Sequence, residues 1–344
     1  MRIFRFTVAC LLISIVTMPG LAQPRLEKPN PILAVGGVEG LVYLPFAVAW
    51  RLGYFSQEGL TVDVQNFGGG GLALRALVGG SADVVSGFYD HTVQMQAQGR
   101  RIKAVVMQQR YPGLVLAIAR HAAESGIRSL LDLRGKKIGV TAPGSSTHFF
   151  VNFLMTREGV SLDDISIIGV GAGATAVAAV RNKAVDAVSN VEPTITTLQT
   201  AGDIPLVLAD TRTTRGTLRV FGGPYPAGCL YATEEFIQQN PNTIQALVNA
   251  TVRALQWIRT HKVEEIVAAM PPEYYQGNKE VYTQAVRSML ESYSPDGRIS
   301  PAGPTTVLGV LGQFDPNVRK AAGSINVGET YDMRFVERFW QQHR

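Results

Sequence analysis

The sequence is short of cysteine: Cys10 and Cys229 are all that 344 residues contain, which excludes a disulfide-stapled scaffold. It is also short of surplus charge. Lys+Arg number 32 against 27 Asp+Glu, with no clustered basic run of the kind that neutralises nucleic-acid phosphates. The five histidines are scattered, and His91 and His148 do not stand at a metal-ligand spacing. No Gly-x-Ser-x-Gly elbow is present, so the commonest hydrolase signature is missing. Beyond residue 22 no stretch approaches the ~20 consecutive apolar residues of a membrane span. What remains is a globular chain with room for two lobes, each with its own core.

Apolar residues, by contrast, make up 46% of the chain, and glycine is plentiful at 35. Part of the apolar share sits at the N-terminus. Arg2 and Arg5 precede an apolar run from Phe6 to Met18 and then Pro19-Gly20-Leu21-Ala22, the pattern of a secretory signal peptide over residues 1–22 cleaved near Ala22. Its removal lowers the formal charge from +5 to +3 and takes Cys10 with it, so no internal disulfide can form. An exported, periplasmic protein is expected, cut off from cytosolic cofactors and needing none.

The remaining chain repeats a unit. Ile32–Val35 reads as a strand, Tyr43–Tyr54 as a helix, Leu60–Val64 as a strand, Leu72–Val78 as a helix and Asp83–Ser86 as a third strand. The order returns as strand Lys137–Val140, helix His148–Arg157, strand Ile165–Val170, helix Ala174–Arg181 and strand Asp186–Ser189. At one constant offset Gly68, Gly70, Ala73, Ala76, Asp83, Val85 and Ser86 fall on Gly171, Gly173, Ala176, Ala179, Asp186, Val188 and Ser189. Such a β-α-β-α-β order implies two α/β lobes with open, mostly parallel sheets. Sheets of this kind bind ligands in the crevice beyond the carboxyl ends of their strands.

Two turn-rich stretches, Arg110-Tyr111-Pro112-Gly113 and Gly222–Gly228, mark two crossings between the lobes. They divide the chain into a discontinuous first lobe, residues 23–113 and 229–344, and a second lobe, residues 114–228. Helical patterns at Glu234–Gln239, Asn242–Thr260, Val263–Met270 and Val281–Tyr293 are expected to complete the first lobe and brace the hinge.

Several segments resemble the periplasmic substrate-binding proteins of ABC importers in the nitrate/sulfonate/taurine, NMT1/THI5-like group, which share their fold with thiamine-pyrimidine binding and synthesis proteins. These are Gly53-Tyr54-Phe55 with Glu58-Gly59-Leu60, Gly79–Val84, Asp132–Val140, Pro143–Thr147 and Val185-Asp186-Ala187. The resemblance implies a two-lobed periplasmic-binding-protein fold of type II, a monomer that closes on a small organic anion and docks on a membrane permease and its ATPase. A pyrimidine-like or aromatic ligand, or service as a periplasmic sensor partner, is the alternative. Pyrimidine-synthesising relatives use a cysteine-rich motif that this chain lacks, so no enzymatic activity is expected. The sequence Gly169–Ala174 satisfies G-x-G-x-x-A, but its duplicate at Gly68–Gly71 does not, which argues against a dinucleotide site.

Ligand contacts are implied at Gly37–Tyr43, Gly87–His91, Ser145–His148 and Asn190–Pro193. Ser145, Ser146, Thr147 and His148 combine hydroxyls with a helix N-terminus, suited to an anion or to capping their own helix. Phe88 and Tyr89 offer aromatic faces, Asp90 and His91 polar groups. Gly37 and Glu39 precede Tyr43, placed to close over the crevice; Asn190 and Glu192 follow the second lobe's last repeated strand. No arginine among Arg110, Arg212, Arg215 and Arg219 is assigned to the ligand.

Overall fold

The computed structural model describes residues 25–343, so the expected export signal lies outside the described residues. The strands are β1 (Ile32–Val35), β2 (Asp63–Asn66), β3 (Val84–Phe88), β4 (Ile102–Met107), β5 (Val115–Ile118), β6 (Lys137–Val140), β7 (Ser166–Gly169), β8 (Ala187–Asn190), β9 (Leu206–Asp210) and β10 (Gly228–Thr233). They form two five-stranded sheets, ordered β2-β1-β3-β10-β4 and β7-β6-β8-β5-β9. The two orders correspond position for position. β2 and β7 begin at Asp63 and Ser166, β3 and β8 at Val84 and Ala187, the spacing at which the sequence identities align.

β1 pairs in parallel with β2 and β3, Leu33 standing opposite Val64 and Val84; β6 does the same with β7 and β8. Strands buried on both faces need continuous apolar runs, and β3 is buried along its whole length. The expected units are therefore present, but each sheet also takes in one antiparallel strand. β10 enters between β3 and β4, with Tyr231 opposite Val85 and Ala104, and β5 enters between β8 and β9. Each inserted strand follows a crossing, so the chain arrives in the new lobe running against its neighbours. β10 starts at Gly228, one residue ahead of the expected lobe boundary.

Local differences have local causes. The second strand lies at Asp63–Asn66 and not at Leu60–Val64, because Leu60 is buried in the turn that precedes it. β4, β9 and the helices beyond residue 300 have no counterpart in the sequence reading. The helix Pro241–Thr260 begins with proline at its first position, where no donor is lost, and packs on Leu44–Arg51 and Arg334–Gln342. No helix among the described residues is long and apolar enough to cross a membrane.

The C-terminal segment, expected to complete the first lobe, also reaches the second. Gly303–Phe314 packs on both Asp90–Ala97 and Ser146–Arg157, and Lys279–Met289 packs on Thr194–Thr200. Its packing therefore ties the two lobes together. Leu247 lies wholly buried in the Pro241–Thr260 helix. Leu247→Ala should destabilise the protein by about 2–5 kcal/mol, the usual cost of a core truncation with its cavity. Denaturant unfolding followed by circular dichroism measures this; an unchanged midpoint would show that this helix does not carry the core.

Candidate functional site

The site is built where two glycine-rich loops meet. Gly68–Gly71 leaves β2, Thr141–Ser145 leaves β6, and their backbones touch. A Cβ at Gly69 would lie 2.7 Å from the Ala142 Cβ, and one at Gly71 would lie 2.7 Å from the Gly144 carbonyl carbon. Only glycine permits this approach. The Gly71 N–H, in the first turn of the helix Gly70–Val78, donates to Ser145 Oγ at 2.8 Å. The side chain of one helix's N-cap residue thus satisfies a donor of another helix across the crevice.

Two further contacts join the lobes. Ser146 Oγ donates to Asp90 Oδ1 at 2.7 Å, and the Tyr225 hydroxyl donates to Asp90 Oδ2 at 3.2 Å. Asp90 is buried, and burial pushes its carboxyl above the usual range, opposed by His91 and by these hydroxyl bonds. Burial pushes His91 down, leaving a neutral ring. Its Nε2 lies 3.2 Å from the Gly144 carbonyl, which can only accept, so Nε2 carries the proton. Nδ1 then accepts from the Tyr231 hydroxyl at 3.1 Å.

Between the loops is a cavity of about 20 Å³, room for roughly one water. Gly37, Tyr43 and Phe88 line it from the first lobe, Ser145, Ser146 and Thr147 from the second. The N–H groups of Ser146 and Thr147, at the start of the helix Ser146–Arg157, have no acceptor among the described residues. Thr147 Oγ1 is occupied: it accepts from the Thr141 N–H at 3.0 Å and meets Thr141 Oγ1 at 2.8 Å. Tyr43 is buried with its hydroxyl near the Gly36 backbone, and burial raises its phenol far above the ordinary value. No lysine, arginine, aspartate or glutamate lines the cavity.

The remaining expected residues sit elsewhere. Asp90 and His91 stand behind the lining and position it. Tyr89 is a correction: it is fully buried and bonds through its hydroxyl to Thr330, so its ring is packed in the core and does not line the crevice. His148 Nδ1 accepts from the Gly144 N–H at 3.1 Å, folding back on its own loop. Asn190 donates to the Gly171 carbonyl at 3.0 Å and braces the neighbouring loop. Glu192 is wholly buried and pairs with Arg212 at 2.6 Å, while its backbone carbonyl accepts from the Leu41 N–H across the lobes. It is spent on structure, since removing either partner would strand a buried charge. Glu39 is half-buried, and a Cβ at Gly173 would lie 3.2 Å from its Oε1 and 2.8 Å from Gln276 Nε2.

Tyr225, Tyr231 and Gln276 escape the sequence reading, and Arg212, left unassigned there, is the partner of Glu192. Gln276 Nε2 is buried without a partner at the edge of the crevice. Nothing in its local pattern marks it, because it comes from the C-terminal segment and reaches the site only through the fold.

Two mixed five-stranded sheets, joined by two crossings and meeting at helix N-termini, define a two-lobed periplasmic-binding-protein fold of type II. A solved protein of Bordetella bronchiseptica RB50 shares 43% identity and a TM-score of 0.90, covering 93% of this chain and 99% of that one. The alkanesulfonate-binding protein SsuA of Xanthomonas axonopodis pv. citri, bound to MOPS, gives a TM-score of 0.63 at 16% identity over 90% and 97%. The periplasmic nitrate-binding protein NrtA of Synechocystis PCC 6803 gives 0.65 at 15% over 91% and 88%. The last two show likeness of fold. The profile of the NMT1/THI5-like family matches residues 42–265, and the chain belongs to that family.

Ser145→Ala should leave the Gly71 N–H without its acceptor, weakening the closed arrangement by about 1–3 kcal/mol. Faster hydrogen exchange at the Gly71 amide would report it; unchanged protection would show that the contact does not hold the lobes. A second expectation concerns pH. Below the ordinary histidine pKa of about 6.5 the unfolded chain takes up a proton that buried His91 refuses, so stability falls as pH drops through that region. Asp90, with its pKa raised, takes up a proton on the native side and opposes the loss at lower pH. Thermal unfolding between about pH 7.5 and 5.5 should show the fall, and His91→Gln should reduce it, leaving the smaller part contributed by His148, which burial also pushes down. An identical slope in the variant would place the titration elsewhere.

Proposed function

We propose that the protein is the solute-binding component of an ABC importer, working outside the cytoplasm, which takes a small organic anion of the sulfonate, taurine or carboxylate type into the crevice and delivers it to a membrane permease. The observation that carries this reading is the pair of unpartnered N–H groups at Ser146 and Thr147, at a helix N-terminus in a cavity walled by both lobes. Such groups stabilise negative charge through aligned backbone dipoles. SsuA with its bound MOPS and the nitrate-binding NrtA, which share the fold, support an anion.

The cavity as it stands admits no organic molecule, so the lobes must part for entry. Opening breaks the Ser145–Gly71 and Ser146–Asp90 bonds, and a ligand favours closure only by binding a closed form, wider at the cavity than this one, more tightly than the open form. Catalysis forms no part of the reading. Cys229, the one cysteine among the described residues, is buried in β10, and burial raises its thiol well above the usual value, which disfavours the reactive thiolate. A flat pyrimidine-like ligand is the second reading, favoured by the Tyr43 and Phe88 rings that line the cavity.

Calorimetric titration with MOPS, taurine, benzoate, nitrate and a hydroxymethylpyrimidine separates these readings. With the best anion, Ser146→Ala should cost about 3–10-fold, since the N–H survives. Ser146→Pro removes that N–H at the first helical position, where proline is tolerated, and should cost at least about tenfold more. A folded proline variant that binds as tightly as the alanine one would remove the helix N-terminus from the site. Tightest binding by the pyrimidine would favour the second reading.

A further inference from the structure

A second cavity, of about 550 Å³, lies at the hinge and is separate from the crevice. Both crossings line it, through Gln109–Tyr111 and through Pro224 and Pro226, and the second lobe adds Thr214, Thr217 and Leu218. Its volume falls within the range of about 300–1,000 Å³ common to small-molecule sites, which favour interfaces between lobes. Its walls are largely apolar: Met107, Leu218, Ile299 and four prolines.

Two buried polar atoms on its lining residues lack partners. The Tyr111 hydroxyl makes no hydrogen bond although the residue is only 3% exposed; the nearby Thr214 hydroxyl donates instead to Glu291 Oε1 at 2.9 Å. Gln109 Oε1 is likewise unpartnered on a residue that is 0% exposed, its Nε2 being used on Ser292. Leaving such groups unsatisfied is costly, and native structures seldom do so without a ligand or water to meet them.

Charge sets the class of ligand. Arg110, Arg298 and Asp296 line the cavity, giving one surplus positive charge. Arg298 is held by carboxylates of Asp296 at 3.0 Å and Glu337 at 2.7 Å, whereas Arg110 is anchored through Nε and a terminal nitrogen on the Glu291 backbone carbonyl, meets the Glu291 carboxylate only at 4.0 Å and is half exposed, so its charge is less fully neutralised. The Arg110 guanidinium also lies over the Tyr111 ring, 5.9 Å from its centroid.

We infer that this hinge cavity is a second small-molecule site, distinct from the crevice, for a molecule with an apolar or aromatic body and one anionic head group. The body fills the space between Met107, Leu218 and the prolines, and the head accepts a hydrogen bond from the Tyr111 hydroxyl and faces the Arg110 charge. Because the site spans both crossings, its shape changes whenever the lobes move.

The test uses the whole protein and the fluorescent probe 8-anilinonaphthalene-1-sulfonate, which has such a body and head. Wild type should bind one equivalent with enhanced fluorescence. Leu218→Glu, on a side chain exposed enough to tolerate the change, should weaken binding at least about tenfold by charge repulsion and lost apolar surface. Tyr111→Phe keeps the ring and should cost about 3–10-fold. Ser146→Pro, which alters the crevice alone, should bind the probe as wild type does. Three results would overturn the inference: no saturable binding to wild type, equal affinity in Leu218→Glu, or loss of the probe in Ser146→Pro, which would move it to the crevice. Failure here leaves the crevice reading untouched, because that rests on Ser146 and its own titrations.

Discussion

The organisation of the molecule depends on a backbone-to-backbone contact between Gly68–Gly71 and Thr141–Ser145. Side chains larger than hydrogen would hold the loops apart, and with them the two helix N-termini that face the crevice. The contact brings Gly71 within reach of Ser145, and the same approach brings Asp90 to Ser146 and His91 to Gly144. Parting the loops by about an ångström or more would take these hydrogen bonds beyond their range together.

The polar groups in the interface divide into those already satisfied and those left over. Asp90, Glu192, Thr147 Oγ1 and both nitrogens of His91 have partners within the protein, so they fix the geometry and have little capacity left for a ligand. The amides of Ser146 and Thr147 are left over, and they are neutral donors. Oriented amides, with no cationic side chain in the wall, leave the cavity free of an uncompensated ion, which would be expensive to bury. At the hinge the balance differs. There the unmatched groups are a phenol and an amide oxygen, beside an arginine anchored on a backbone carbonyl and among prolines, two of them in the second crossing.

Much of the architecture could be read along the chain because its elements are local. Apolar runs, glycine punctuation and a constant offset between repeats predicted β1–β3 and β6–β8 with their intervening helices. The apolar runs Leu114–Ala119 and Cys229–Ala232 also read as strands and are β5 and β10, but the antiparallel insertion of β10 between β3 and β4 was not legible, because those partners lie more than a hundred residues earlier and no local pattern records the direction of a distant pairing. The site behaves likewise. Ser145–Thr147 carry a recognisable helix-start composition, and the structure places all three at the cavity. Tyr89 shares a loop with Phe88, yet the helix that begins at Asp90 turns it toward Thr330.

By itself the sequence determined the repeated strand–loop–helix unit, the glycines that let loops approach, and the helix starts that favour an anion, because each follows from residue type and short spacing. The tertiary structure alone decided which donors remain unspent, which acids are consumed by distant partners such as Arg212 and Tyr225, and where the C-terminal segment closes over both lobes. Those outcomes rest on burial and on contacts between residues far apart in the chain. A hydrogen bond or ion pair acquires its value only when folding removes the water that would otherwise compete for it.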